Sequence, residues 1–190
     1  MTPEDVLAFW FGAPASAERG EPREVWFKKS DVFDQDVRRR FSALHALAAD
    51  GRLAAWDRTP HALLALIIVC DQFPRNMFRH DPRAFATDAR ARAAAQNMVE
   101  RGWDMQLASI ERTFVYLPFE HAEDEAMQQR SLELFARLAE DPALADLPVW
   151  ARKHAGIIAR FGRFPHRNAI LGRESTPEEI EFLRQPGSSF

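Results

Sequence analysis

The chain has 190 residues and carries 25 Lys and Arg against 28 Asp and Glu, a net charge of −3. That near balance argues against a phosphate-gripping nucleic-acid surface, and 46% hydrophobic with 28% charged residues argues against disorder. One cysteine excludes an internal disulfide framework and a cysteine-based zinc site. The most apolar run, Ala62 to Cys70, is about half of what a membrane span needs. The opening Met1-Thr2-Pro3-Glu4-Asp5 lacks the basic start of a secretory signal. The expectation is a reduced, cytoplasmic protein with neither a membrane nor a nucleic acid as partner. The length favours a single domain, placed here at 1–184, with a frayed tail at 185–190.

Fifteen Phe and five Trp stand beside one Tyr, enough ring area to fill the core of a chain this size. Trp10, Trp26, Trp56, Trp103 and Trp150 read as core pieces. Thr2-Pro3-Glu4-Asp5 opens the first helix with a cap hydroxyl, a proline in the first turn and an acid three residues after the cap. Gly12 to Arg23 then reads as a long exposed loop. The stripe Val32, Phe33, Val37, Phe41, Leu44 and Leu47 predicts a helix over 31–49. Thr59-Pro60 starts a buried helix over about 60–72, carrying Leu63, Leu64, Leu66, Ile67 and Val69. Asp81-Pro82 repeats the starting device. Seven alanines between 84 and 95 favour a further helix, stopped by Gly102. Ser109 caps a short helix to Leu117, which Pro118 ends. Helices follow over 123–138, 149–161 and 177–184, the last opened by Thr176-Pro177-Glu178-Glu179. No run has the alternation and turns of a hairpin. The predicted fold is all-α, with about eight helices in antiparallel pairs and no sheet.

Two segments resemble each other. Asp71-Gln72-Phe73-Pro74-Arg75-Asn76 and Gly162-Arg163-Phe164-Pro165-His166-Arg167-Asn168 each follow a helix with an Ile-Ile pair. In each, Phe-Pro is expected to break the helix and Arg-Asn to lie just beyond. Guanidinium forks at Arg75 and Arg167, with Asn76 and Asn168, suit a carboxylate or phosphate; the same residues also suit the free carbonyls of a helix end. Residues 150–173 hold six Lys or Arg, among them Arg160 and Arg163, and no acid, whereas 118–148 hold eight acids against two arginines. Either these stretches neutralise one another, or the basic one lines an anion site. Arg112 and Tyr116 stand four apart on one helix face, and His121 is expected near the start of the next helix, beside Glu123 and Asp124. A His among carboxylates suits general base chemistry or a hard cation; it also suits a hydrogen-bonded helix end. Nucleophile-elbow, Walker and dinucleotide motifs are absent, and Cys70 reads as a buried structural thiol.

These two motifs, with Val6-Leu7-x-Phe9-Trp10-Phe11-Gly12, Trp26-Phe27, the stretch from Tyr116-x-Pro118 to Asp124, and Leu171-Gly172-Arg173-x-Ser175-Thr176-Pro177-Glu178-Glu179, resemble the bacterial domain-of-unknown-function family 924. The resemblance runs from about residue 4 to 183. It implies an all-helical, tetratricopeptide-like fold and no established activity, so it transfers no catalytic residue. Ala122 stands where related sequences often carry Ser, so no Ser nucleophile is expected there.

Two readings remain open. In one, Arg75, Asn76, Arg112, Arg160, Arg163, Arg167 and Asn168 hold a small anionic ligand, and His121 and His166 transfer protons. In the other, a tetratricopeptide-like scaffold holds a peptide or partner protein in a concave groove. A variant of the first brings His121, Glu123 or Asp124, and His166 onto a metal ion. The sequence specifies neither a cofactor nor an oligomeric state.

Overall fold

The computed structural model describes residues 1–189. Within them the chain forms α1 (Pro3–Phe11), α2 (Asp31–Ala49), α3 (Pro60–Met77), α4 (Asp88–Glu100), α5 (Ser109–Glu120), α6 (Glu125–Ala136), α7 (Leu147–Phe161) and α8 (Pro177–Leu183). Short 3-10 turns join them, and no strand occurs among the described residues. Their starts follow the cap chemistry. Thr2 accepts from the Asp5 N–H at 3.3 Å, Thr59 from Ala62 at 3.3 Å and Thr176 from Glu179 at 3.2 Å. Each such bond satisfies an amide that the helix leaves without a partner, worth about 1 kcal/mol.

Helix α3 is apolar around most of its circumference and sits at the centre, with α1, α2, α4 and α5 packed against it. Helix α5 continues the core toward α6 and α7. Large rings fill the space between α1, α2, α3 and α5: Trp10 meets Phe114 at 5.4 Å, and Phe41 meets Phe73 at 4.4 Å. Each fully buried side chain of this size contributes roughly 2–3 kcal/mol. A smaller cluster of Ile157, Ile158 and Phe164, with Phe161 and Phe182, packs α8 and the preceding turn onto α7. No helix among the described residues is long and apolar enough to cross a membrane.

The structure departs from the predicted elements in several places. Val32, at one end of the expected stripe, points outward at 81% exposure; Val37, Phe41 and Leu44 are buried as expected, and Ala48 joins them. Trp150 is not a core piece but lies 45% exposed, with Lys153 stacked on it. Ala108, not Ser109, caps α5, and the Glu111 carboxylate receives its N–H at 3.2 Å. The loop after Gly12 is tied down by two arginines. Arg23 donates to the Phe9 and Trp10 carbonyls at 2.8 Å each, and Arg19 reaches Glu111 at 3.2 Å. In the tail expected to fray, Ser188 is buried and donates to the Leu183 carbonyl at 3.1 Å; Phe190 lies outside the described residues. The largest departure is at the two Phe-Pro and Leu-Pro steps. Pro74 and Pro118 stand inside α3 and α5 rather than ending them.

Candidate functional site

Pro74 lacks the N–H that would bond the Cys70 carbonyl, which is the usual reason a helix stops. Here the Thr87 hydroxyl donates to that carbonyl at 2.6 Å, so α3 continues to Met77. Thr87 is also the residue that precedes α4. The same contact therefore docks the start of α4 on the end of α3 and sets Asp88 against Arg75. Arg75 grips Asp88 with both forks, at 2.8 and 3.0 Å, and lies 3.3 Å from Asp71, one turn earlier. Asp71 is almost fully enclosed and receives the Gln72 amide at 2.6 Å.

Helix α5 runs past Pro118, so His121 is its C-terminal cap and not part of the next helix; its N–H bonds the Leu117 carbonyl at 2.8 Å. The His121 ring turns back to α3, with Nδ1 2.9 Å from Asp71 Oδ1. The carboxylate accepts, so Nδ1 carries the proton and Nε2 presents a lone pair. Nε2 makes no hydrogen bond among the described residues and is not one of the enclosed, unpartnered nitrogens.

The second motif obeys the expected break. Gly162 ends α7 in the left-handed conformation, at φ 69°. The 3-10 turn Pro165–Arg167 then carries Arg167 inward to 7% exposure. Its guanidinium carbon stands over the ring of Phe85, at 4.8 Å, and over the ring of Phe164, at 4.5 Å. Nη1 donates to the His121 carbonyl at 3.1 Å and approaches Asp88 to 3.9 Å. Nε is enclosed and has no partner.

Burial and these charges set the protonation states. Burial works to raise Asp71, but Arg75, His121 and Gln72 outweigh it and hold the carboxyl below its ordinary range. Burial pushes His121 down, with Asp71 opposing it. Burial drives His154 down to about 3 and His166 to about 4, Arg167 adding to the effect on both. Burial, then the nearby Asp71 charge, pushes Glu120 up to about 8. Glu120 Oε1 lies 3.3 Å from His154 Nδ1, which also lies 2.9 Å from the Trp150 carbonyl. Burial and the neighbouring Arg75 bring Arg167 down to about 10, so it remains a cation at neutral pH. One carboxyl is ionised and one neutral within a single enclosed cluster, an arrangement that separates acid and base roles.

The structure thus brings together Arg75, Arg167 and His121 from three distant stretches, with His166 next to Arg167 in the same turn. It places the other five expected residues elsewhere. Asn76 donates to Asp34 of α2 at 2.7 Å, where Arg79 also binds. Arg112 reaches Ser109 at 3.2 Å, while Tyr116 turns away to Asp104 at 2.8 Å. Arg160 pairs with Glu178 at 2.8 Å and Arg163 with Glu179 at 2.7 Å. Asn168 is buried and donates to Ser175 at 3.0 Å. These hold the C-terminal segment to α7 and to the turn after it. The expected metal grouping does not assemble. Glu123 is engaged by Arg173 at 2.6 and 2.9 Å and by the Phe164 N–H at 2.8 Å, and Asp124 caps α6. No three His, Cys, Asp or Glu among the described residues converge in a metal-holding set. Asp88, Phe85, Glu120 and His154 complete the cluster, and no local pattern gives them a role at a site. Asp88 sits in an alanine-rich run that signals only helix; the cap-like pair Thr87-Asp88 was its one readable mark.

A family model described as a bacterial protein of unknown function (DUF924) matches residues 6–187. No curated protein matches the chain. A solved structure of a protein of unknown function from Agrobacterium tumefaciens is similar, at 41% identity and a TM-score of 0.83, covering 95% of this chain and 96% of that one.

Proposed function

The chain belongs to the DUF924 family, and within that family we propose that it binds a small anion, a carboxylate or phosphate, at the unpartnered Nε of Arg167, with the His121–Asp71 pair moving a proton beside it. The observation that carries this reading is Arg167 itself. A guanidinium 93% removed from solvent ordinarily has all its donors engaged, because an unmade buried hydrogen bond is costly. Arg167 has one long contact with Asp88, one carbonyl and an enclosed Nε without an acceptor. Asp88 is already committed to both forks of Arg75. An oxyanion at Nε supplies the missing partner.

His121 adds the chemistry. An imidazole whose Nδ1–H is fixed by a buried carboxylate offers Nε2 as a base, the arrangement used in general acid–base catalysis. Its lone pair stands at the margin of the cluster, where His121, Arg75 and Asp88 keep 14%, 21% and 20% exposure and leave an approach from solvent.

The scaffold reading has one feature in its favour. A shallow groove of about 360 Å³ is lined by Arg152, Lys153 and Arg160 with Phe161 and Phe182, on the far face of α7. An acidic peptide with an aromatic residue would suit it, and capture of such a peptide with the Arg167 cluster unaffected would favour that reading.

Thermal unfolding against a panel of carboxylates and phosphates tests the proposal. A ligand present at about a hundred times its Kd stabilises the fold by about 2.7 kcal/mol. The expected result is a shift from at least one anion that disappears in Arg167→Lys, which keeps the charge and loses the flat donor edge. No shift from any member contradicts the proposal.

A further inference from the structure

The charges around Arg167 cancel before any ligand arrives. Asp71 and Asp88 face Arg75 and Arg167, and Glu123 at the margin is matched by Arg173. An anion placed on Arg167 therefore brings one uncompensated negative charge into an enclosed place, and a dianion brings two. Either charge is expensive there unless a positive charge enters with it.

One group is built to supply that charge. His121 keeps Nδ1 on Asp71, has Nε2 unengaged, and caps the C-terminal end of α5, where the helix dipole favours a cation. Its own carbonyl accepts from the Arg167 guanidinium, so the two residues are in direct contact. The charged and titratable groups that face His121 come from every packed element. Asp71 and Arg75 are on α3, Asp88 on α4, Glu120 on α5, His154 on α7, and His166 and Arg167 on the turn after it. Asp71 and Asp88 favour a proton on the ring, and burial and the Arg75 guanidinium oppose it. An anion on Arg167 adds a further negative charge to the residue in contact with His121 and favours the ring proton more. Anion and proton then bind cooperatively, by simple linkage.

Resting on the small-anion reading above, we propose that the ligand of this site is a monocarboxylate that binds together with one proton from solvent, the carboxylate on the Arg167 Nε edge and the proton on His121 Nε2. No bond of the ligand is made or broken in this step. Dianionic phosphate leaves a second charge unanswered and binds more weakly.

Titration calorimetry with acetate and with inorganic phosphate, in buffers of low and high ionisation heat at pH 7, reads the proton directly. The expected result is acetate binding whose heat changes with buffer in proportion to the uptake of close to one proton. Affinity falls about tenfold per pH unit once His121 must be protonated on binding. Phosphate weakens as it becomes dianionic toward pH 8. His121→Gln is expected to bind acetate with no proton uptake. Acetate binding without proton exchange, or phosphate binding that tightens at pH 8, overturns the proposal and leaves the small-anion reading standing. Absence of binding by both probes at every pH overturns the two together. The wild-type buffer series decides by itself, so poor folding of the variant does not obscure the outcome.

Discussion

The two Phe-Pro motifs share a sequence and differ in outcome. In the first, Pro74 is absorbed into α3, Arg75 is fully paired with Asp88 and Asp71, and Asn76 locks α2. In the second, Gly162 has already ended the helix, and the extra residue His166 gives a 3-10 turn that sends Arg167 inward. Asn168 again locks a neighbouring segment. The two asparagines therefore do the same structural work on opposite flanks, while the two arginines divide. Arg75 takes both carboxylates at close range, and Arg167 is left with a long contact to Asp88 and an unpartnered Nε. A buried cation kept short of partners by its own twin is what sets this place apart from the many arginine pairs elsewhere in the chain.

Substituting the two arginines alike gives the largest expected contrast. Arg75→Met strands Asp71 and Asp88 in an enclosed place and is expected to cost about 3–5 kcal/mol. Arg167→Met keeps the stem between Phe85 and Phe164, removes an underpaired charge and is expected to cost less than about 1 kcal/mol. Denaturant unfolding of the two variants measures the difference; equal losses would break the comparison.

Glu120 offers a pH-dependent counterpart on the Arg167 side of the cluster. Folded, it holds its proton up to about pH 8, and unfolded only to its ordinary 4.5. Stability present below pH 4.5 therefore drains away as the pH rises to 8, at up to about 1.4 kcal/mol per pH unit. His154 and His166 act in the opposite direction. Both stay neutral in the fold well below their ordinary 6.5, so they cost stability as the pH falls from 6.5 toward 4. Glu120→Gln is expected to flatten the loss between pH 5 and 8, read from thermal unfolding across that interval.

Smaller effects probe how each motif meets its proline. Thr87→Val removes the hydroxyl that serves the Cys70 carbonyl, leaving a buried acceptor unmade, and is expected to cost about 1–3 kcal/mol by chemical denaturation. Gly162→Ala meets open space, so its cost is backbone strain alone at φ 69°, about 1 kcal/mol by the same measurement.

The Thr-Pro helix starts were legible, because these caps act within four residues and need no tertiary help. The ends of α3 and α5 were not. Proline's usual veto was lifted at Pro74 by a hydroxyl from a segment 13 residues away, which no local rule sees. At the site, Arg75, Arg167 and His121 stood out by residue type and by the repeated motif. Their acids did not. Asp88 is hidden in an alanine-rich helix, Asp71 was read as part of a motif with no separate role, and Glu120 became significant only once burial removed its charge. The chain-level contrast between an acidic and a basic stretch resolved mostly into pairing. Glu123 takes Arg173, and the acids for Arg160 and Arg163 come from α8. That left Arg167 as the basic residue of that stretch turned into the interior.

The most direct measurement is a two-dimensional proton–nitrogen spectrum of the arginine side chains during titration with acetate, with Arg75 and Arg167 assigned by substitution. The Arg167 Nε–H signal is expected to move saturably while the Arg75 signal stays in place. An unmoved Arg167 signal at saturating acetate, or movement at Arg75 alone, would contradict the proposed site.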